Sequence, residues 1–560
     1  MSEAQTAAAG GNAAIFYHPD GFVTSRDKLM GRHAAGEGFL RGLARHGVTD
    51  KLYAFSATRQ HFEKFCDQAR PHAGKRELVW LPHARPERLA EPGALFIPGP
   101  GLSAYAWQRR CRDRGAFSIT GVTHTICTDR VMDSIGDLLI APLEEWDALI
   151  CTSDAVRTGA EAMLAAYGGY LAERFGAASP RPRLQLPVIP LGVDCDHLAA
   201  GPDADGIRAR LRQRHRIGAD DVVVLFFGRL SYHAKAHPLP MYQALEAAAK
   251  ATGRKIVLIL AGWFANDPIK QAFEQGAGAV CPSVRYVHVD GRKQEIRDQI
   301  WRAADIFCSL SDNVQETFGL TPVEAMAAGL PVVASDWDGY RGTVEHGVTG
   351  FLIPTTMPAA GSGAELAYRY MTGADTYDMY IGNVSQAIAV DAEATAQAFI
   401  ELIRNPELCR RMGELGRNRA RRLFDWRVII GRYQALWAEL ETRRRQAAQP
   451  GQAEPAPLRG DPYAVFGHYA TRLIDDRTPI RTAVPSPLKA LDRLGALKMN
   501  NYARAMLLPA QDIQSLVRRV REAGELRVGD LFEGIAPERR PAMRRTVGWL
   551  AKLGIVKSAE

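Results

Sequence analysis

No stretch of this 560-residue chain is apolar for long enough to cross a bilayer. The longest clearly apolar run, 256–264, is far short of the ~20 residues a span needs. No basic n-region opens the sequence, and Glu3 stands among the first residues, which argues against a secretory signal. None of the 8 cysteines falls in a C-x-x-C pair, and several sit inside apolar runs, where a free thiol behaves as a small core residue. A disulfide scaffold and cysteine-based zinc spacing are thereby excluded, and a reducing compartment is favoured. Repeats at solenoid periods are missing too. The 46% hydrophobic and 24% charged fractions exclude a disordered or collagen-like chain. The expectation is a soluble, cytoplasmic protein.

Charge excess is absent from most of the chain. Lys and Arg number 70 against 62 Asp and Glu, a net +8. From Glu441 onward 21 basic residues meet 13 acidic ones, again +8, so the first 440 residues are balanced. Attraction to a polyanion or a membrane must come from the tail.

What is present is a series of short apolar, β-rich runs between helix-like segments. In the first half they fall at 13–17, 52–55, 78–81, 94–97, 117–124 and 148–153; in the second at 222–230, 255–262, 284–289, 305–310, 331–335 and 350–353. Continuous rather than alternating apolar runs predict parallel strands covered on both faces, and the alternation with helices predicts βαβ units. The fold class expected is α/β, with two Rossmann-like domains and a small, mainly helical C-terminal domain. The domains are placed at 12–195 and 206–390, joined near Pro190, Gly192, Val193 and Asp194. Helices closing back on the body follow at 391–445, then a Pro/Gly-rich linker at 446–461 and a helical module at 462–560. Within that module 512–523, 528–534 and 537–553 read as helices before an apolar strand, 554–556.

The window 305–339, DIFCSLSDNVQETFGLTPVEAMAAGLPVVASDWDG, carries most of the chemistry. A buried strand runs into a polar loop with Glu316, then Phe318, Gly319, Leu320 and a helix start. Thr321 suits an N-cap, Pro322 the first helical position and Glu324 the third. A strand, a glycine-bearing loop and a helix N-terminus make an anion site, because free N–H groups and the helix dipole face the ligand. The same Thr-x-x-Glu spacing also fits a plain capping box. A glycosidase acid/base pair fits less well: a helix from Glu316 to Glu324 would separate them by ~12 Å, where such pairs need roughly 5–9.5 Å.

Glu316–Thr–Phe318–Gly319–Leu320–Thr321–Pro–Val–Glu324–Ala–Met–Ala–Ala–Gly329–Leu–Pro331–Val–Val–Ala–Ser335 resembles the E-x7-E signature of the family 4 retaining glycosyltransferases, the glycosyl transferases group 1, which have the GT-B fold of two domains facing a cleft. Gly347–Val–Thr–Gly350 and Ile189–Pro190–Leu–Gly192–Val193–Asp194 match the same family, and the resemblance covers roughly residues 12–440. It implies a nucleotide-diphospho-sugar donor, a hydroxyl acceptor (glycan, glycolipid or small molecule), and no cofactor or metal. Glu324 would hold the ribose, Glu316 the donor sugar hydroxyls, and the N–H groups of Gly319, Leu320 and Thr321 the diphosphate. Arg229 and Lys235, after Gly228 at the end of a strand, would stabilise the leaving diphosphate. Here the chain departs from the family by one extra residue between Arg and Lys and by Pro238 and Pro240. Gly31 and Arg32 match the family's donor loop in the first domain, without its usual Gly-Gly pair. His124, at a strand end, would stand beside the donor sugar or the acceptor.

Other motifs point elsewhere. Asp194–Cys–Asp196 and Asp336–Trp–Asp338 are literal D-x-D strings, but one lies in the interdomain turn and the other follows a buried strand, so both read as structural. His233 and His237 stand four apart without the helix a metal pair needs, since Pro238 follows. Beyond 450 the resemblance is silent. The tail resembles a winged-helix unit, yet too little chain follows Leu553 for a two-stranded wing, which disfavours nucleic acid. Docking or self-association, and contact with anionic lipid headgroups, remain open uses.

The activity expected is transfer of a sugar from a nucleotide-diphospho-sugar to a hydroxyl, with retention and without metal. Two alternatives stand beside it. One is a glycoside phosphorylase on the same fold. The other is a binding protein that senses a sugar nucleotide and carries a nucleic-acid-binding tail.

Overall fold

The computed structural model describes residues 10–22, 31–199, 201, 203–447 and 453–559, without the side chain of Arg32. All twelve expected strands form. β1 (Ala14–Phe16), β2 (Lys51–Ser56), β3 (Glu77–Pro82), β4 (Ala94–Ile97), β5 (Ser118–Val122) and β6 (Ala148–Ile150) make one sheet in the order β3-β2-β1-β4-β5-β6. β7 (Val222–Leu230), β8 (Ile256–Phe264), β9 (Val284–Asp290), β10 (Ile306–Ser309), β11 (Val332–Ser335) and β12 (Gly350–Ile353) make a second, in the order β12-β11-β10-β7-β8-β9. Every pairing in both is parallel. Read from its far edge, the second order repeats the first. Strand order therefore reverses at β1/β4 and at β7/β10, where a crevice opens at the carboxyl ends of the strands.

The apolar runs are explained by what lies on each face. Along β7, Val223 and Leu225 join a core with Val257, Ile259, Phe307 and Met326. Val224 and Phe226 point the other way, into a core with Leu245, Leu258 and Phe399. A period of two with both faces covered leaves no polar position along the strand interior.

The helix Trp426–Gln446 closes back on the first sheet. Its Ile429, Ile430, Tyr433 and Trp437 share a core with Ile15, Phe39 and Phe96. Trp437 Nε1 donates to Thr120 Oγ1 at 3.2 Å. The two connections between the lobes run side by side: Val193 N donates to Phe424 O at 2.8 Å, and Trp426 N donates to Val193 O at 3.1 Å. Gly192 is required there, since a Cβ would stand 2.4 Å from the Trp426 ring. After β12 a small antiparallel pair, β13 (Thr355–Thr356) and β14 (Ala389–Val390), brackets the helices Ala364–Met371 and Tyr377–Ser385.

Contacts divide the chain into two compact units, Met1–Ala456 and Pro457–Glu560. Of the stretch read as a linker, 448–452 lies outside the described residues, and Glu454 is fastened to the first lobe: its N–H donates to Arg110 O at 3.2 Å and its carboxylate pairs with Arg110. The second unit is less purely helical than its sequence reads. β15 (Pro479–Thr482) pairs antiparallel with both β16 (Leu526–Arg527) and β17 (Val556–Ser558). The helices Ala510–Ala523 and Arg540–Lys552 stand where helices were expected. The expected helix at 528–534 is a 3-10 turn, Val528–Phe532, and Pro487–Gly495 is a further helix. β15 escapes a sequence reading because only Ile480 in it is fully buried.

Candidate functional site

At the β7/β10 crevice two loops are stitched together. Ser311 Oγ donates to Lys235 O at 3.1 Å, Asn313 Nδ2 to His233 O at 2.9 Å, and Gln315 Nε2 to Ala234 O. The stitching sets Lys235 against Glu316 and Arg229 against Gln315. Arg229 Nη2 donates to Ala234 O at 2.5 Å and to Gln315 Oε1 at 3.2 Å. Lys235 Nζ pairs with Glu316 Oε2, which also accepts from the Tyr340 hydroxyl at 3.5 Å. Glu316 Oε1 accepts from Thr317 N at 3.2 Å. The extra residue and the prolines after β7 do not carry Lys235 away: the helix begins only at Leu239, and the loop before it folds Lys235 inward. Gly228, at φ 152°, leaves the Lys235 stem running past it.

Two opposed effects act on the pair. Burial works against the Lys235 charge, but the Glu316 carboxylate outweighs it and holds the ammonium well above its ordinary value. Burial likewise works against Glu316, and Lys235 with the N–H groups of Thr317 and Phe318 holds the carboxyl below its ordinary value. Both are charged. Burial lowers Arg229, with Asp378 and Tyr377 acting in opposition.

The helix start differs from the sequence reading. The helix is Leu320–Ala328 and its N-cap is Gly319, at φ 89° and without a side-chain cap. Thr321 is thus the second helical residue and Glu324 the fifth, and no capping box forms. The buried Thr321 Oγ1 has no hydrogen-bond partner. Gly319 is fixed by packing as well as by φ, because a Cβ would stand 2.2 Å from the Tyr340 ring. The space beside it is filled by that ring rather than left open. Phe318 is a core residue whose ring meets Phe424 at 5.8 Å, and Leu320 packs on the same core. At Gly319, Leu320 and Thr321 the backbone N–H groups have no intrahelical partner, and at such a helix N-terminus an anion is stabilised. Burial pushes the Glu324 carboxyl up to about 7, with Arg297 acting in opposition.

Several groups at the site are not read as site residues from the sequence. Tyr340, hydrogen-bonded to Ser309 at 2.9 Å, braces Glu316. Asp338, at φ 45°, is pushed up to about 8 by burial and the nearby Glu316, so the second D-x-D string reaches the site electrostatically. Asp312 is pushed up to about 7 by burial. Tyr377 and Asp378 come from the helices between β13 and β14. Only three-dimensional proximity reveals them, since they are more than 60 residues from Glu316 in sequence.

The first lobe meets this site through the segment after β5. Cys127 Sγ lies 3.1 Å from Thr125 Oγ1 and 3.4 Å from the Tyr377 hydroxyl, and Asp129 N donates to the Tyr370 hydroxyl at 3.3 Å. His124, partly exposed, sits on that segment. Gly31 is the exposed first residue of the helix Gly31–His46, with nothing within 4 Å of its added Cβ. The Arg32 side chain and residues 23–30 lie outside the described set.

Three of the four carboxylates in the D-x-D strings make structural contacts. Asp194 caps the turn Cys195–Leu198, and Asp196 pairs with Arg427 at 2.8 Å. Asp336 pairs with Arg341 at 2.9 Å. Among the described residues no group of three or more His, Cys, Asp or Glu could hold a metal ion.

The family of glycosyl transferases group 1 matches residues 207–367, the stretch holding Arg229, Lys235, Glu316 and Glu324. These residues form a glycosyl transferases group 1 domain. The phosphatidyl-myo-inositol mannosyltransferase of Mycobacterium leprae is 27% identical over 256 residues, 45% of this chain and 54% of that protein. The D-inositol 3-phosphate glycosyltransferase of Geodermatophilus obscurus is 32% identical over 252 residues, 41% of this chain and 51% of its own. The chain thus spans about half the length of these curated relatives. HepE from Anabaena, solved in complex with UDP, aligns with a TM-score of 0.50 at 17% identity, over 76% of this chain and 100% of that one. That likeness is one of fold, and with the two parallel sheets it makes the architecture GT-B-like. The matched stretch ends inside the helix Ala364–Met371, so Tyr377 and Asp378 lie just beyond it.

Proposed function

We propose that the chain is a retaining, metal-independent glycosyltransferase that moves a sugar, of the hexosyl type, from a nucleotide-diphospho-sugar to a hydroxyl acceptor in the cytoplasm. The observation that carries this reading is the buried Lys235–Glu316 pair, with Arg229 beside it, at the switch point of a group 1 domain. Arg229 and Lys235 stabilise the charge that builds on the departing diphosphate. The N–H groups of Gly319, Leu320 and Thr321 add the helix N-terminus to that clamp, and the unpartnered Thr321 hydroxyl gains a phosphate partner. Glu324 takes the ribose hydroxyls and Glu316 the sugar hydroxyls, while His124 approaches from the first lobe.

In the reaction the bond between the anomeric carbon and the phosphate oxygen breaks, and its electron pair stays on that oxygen. The acceptor oxygen forms the new bond on the same face, and its proton passes to the departing phosphate oxygen. Closure of the two lobes excludes water from this step. The test is turnover with a panel of nucleotide-diphospho-sugars, followed by proton NMR of the first product, with and without EDTA. The donor's anomeric configuration is kept and EDTA leaves the rate unchanged. Inversion, or an absolute need for Mn²⁺ or Mg²⁺, would overturn the reading.

A further inference from the structure

The second compact unit has a core of its own, around Ile480, Ile513, Val517 and Val547. Beside that core it displays large apolar side chains to solvent. Leu497, Met499, Tyr502 and Met506 are 45%, 75%, 81% and 57% exposed, all within ten residues. A second exposed apolar group lies at the start of the unit, at Leu458, Tyr463, Phe466, Tyr469 and Leu473, but there Asp461, Asp475 and Asp476 stand among the basic residues. Met499 and Met506 stand on two short turns, Lys498–Asn501 and Arg504–Met506, and Leu497 and Tyr502 flank the first.

These turns are braced. Trp549 Nε1 donates to Asn500 O at 2.8 Å, Arg545 Nε donates to Met506 O at 2.9 Å, and Asn500 Nδ2 donates to Leu494 O at 2.9 Å. The apolar side chains are therefore carried on a fixed projection from the helix Arg540–Lys552.

The charge around the projection is mostly positive. From Pro479 to Gln511 there are five basic residues and one acidic residue, Asp492. Lys489, Arg493 and Lys498 are exposed. Among the described residues the module's ion pairs are Arg519–Glu533, Arg539–Asp512 and Arg544–Asp476, all outside this stretch. Three cations without carboxylate partners thus flank four exposed apolar groups. A two-fold contact with a second copy would set the same cations against one another. A nucleic-acid backbone would satisfy the cations and leave the apolar groups without a partner.

We infer that the projection 497–506 docks on the surface of an anionic lipid bilayer. Leu497, Met499, Tyr502 and Met506 enter the boundary between headgroups and acyl chains, and Lys489, Arg493 and Lys498 meet the lipid phosphates. Both halves of the patch then find partners, in the manner of interfacial anchors that combine apolar insertion with basic side chains.

The experiment is flotation of the full chain with vesicles, comparing pure phosphatidylcholine with phosphatidylcholine containing phosphatidylglycerol. The chain floats with the anionic vesicles and not with the neutral ones. Each of K489E and K498E weakens binding by roughly five-fold or more, and M499S/Y502S weakens it comparably. The thermal midpoint and native mass are unchanged in all three. Should M499S/Y502S unfold, the two surface charge variants carry the test alone. Failure of the unaltered chain to float, or charge variants that bind as it does, overturns the inference. So does a fall in native mass on M499S/Y502S, which would make the patch an interface between copies. Duplex DNA binding that K489E and K498E abolish, with vesicles left unbound, overturns it as well.

Discussion

At the residue scale, the Lys235–Glu316 pair joins stability to chemistry. In the proposed reaction Lys235→Ala removes leaving-group stabilisation, and it strands the buried Glu316 carboxylate. Turnover should fall by about 10²–10³, and the fold should lose on the order of 3 kcal/mol. Arg229→Ala should cost a similar factor in turnover without a stranded Glu316. Steady-state rates and denaturant unfolding of both variants check this, and normal turnover in both would remove the clamp. Glu324 supplies a pH test. Unfolded, its carboxyl titrates in the ordinary range; folded, at about 7. Between those values the folded state holds a proton that the unfolded state has released. Stability from this group therefore falls as pH rises toward 7 and is level above it. Glu324→Gln should flatten that part of the stability–pH curve, read from thermal midpoints across pH 4–8. Asp312 and Asp338 slope the same way in both proteins and cancel in the difference. Much of this site was legible, because Glu316, Glu324, Arg229 and Lys235 fall in ordered, spaced motifs. Tyr340, Asp338, Tyr377 and Asp378 were not, since each reaches the site through a fold that brings separate loops together.

At the element scale, the twelve strands were legible because parallel strands buried on both faces are written as unbroken apolar runs. The start of the helix Leu320–Ala328 was misplaced by two residues. Thr321 offers the chemistry of an N-cap, but Gly319 at φ 89° turns the chain earlier. Gly319→Ala should therefore be costly twice, in backbone strain and in collision with Tyr340. A drop in stability above about 1 kcal/mol is expected, together with loss of donor affinity by calorimetry. β15 was missed for the opposite reason, a strand too short and too polar to announce itself. The helix Trp426–Gln446 gives the other element-level test. Trp426 is buried against Phe39, with Gly38, Gly42 and Gly192 beneath its ring. Trp426→Ala should cost about 3–5 kcal/mol, measured by denaturant unfolding. A cost near zero would mean the returning helix is not part of the first lobe's core.

At the scale of the whole molecule, the division between Ala456 and Pro457 is a place to cut. A chain ended after Ala456 keeps the Glu454–Arg110 contact and both sheets, so it should fold, bind donor and hydrolyse it slowly. Vesicle binding should be lost with the second unit. Loss of donor binding in a truncated chain with native circular dichroism would place part of the site in the removed unit. The returning helix also sets an order of events during synthesis. The first lobe's sheet is finished once Ile150 is made, but the residues that cover one of its faces, Ile429 to Leu440, come nearly 280 positions later. At ~5–20 residues per second the ribosome takes tens of seconds to supply them. For that interval the first sheet waits half-dressed, with Phe39 and Phe96 open to water, while the second lobe forms its own core in sequence. The nascent first lobe therefore keeps one apolar face without its cover until translation reaches the helix that belongs to it.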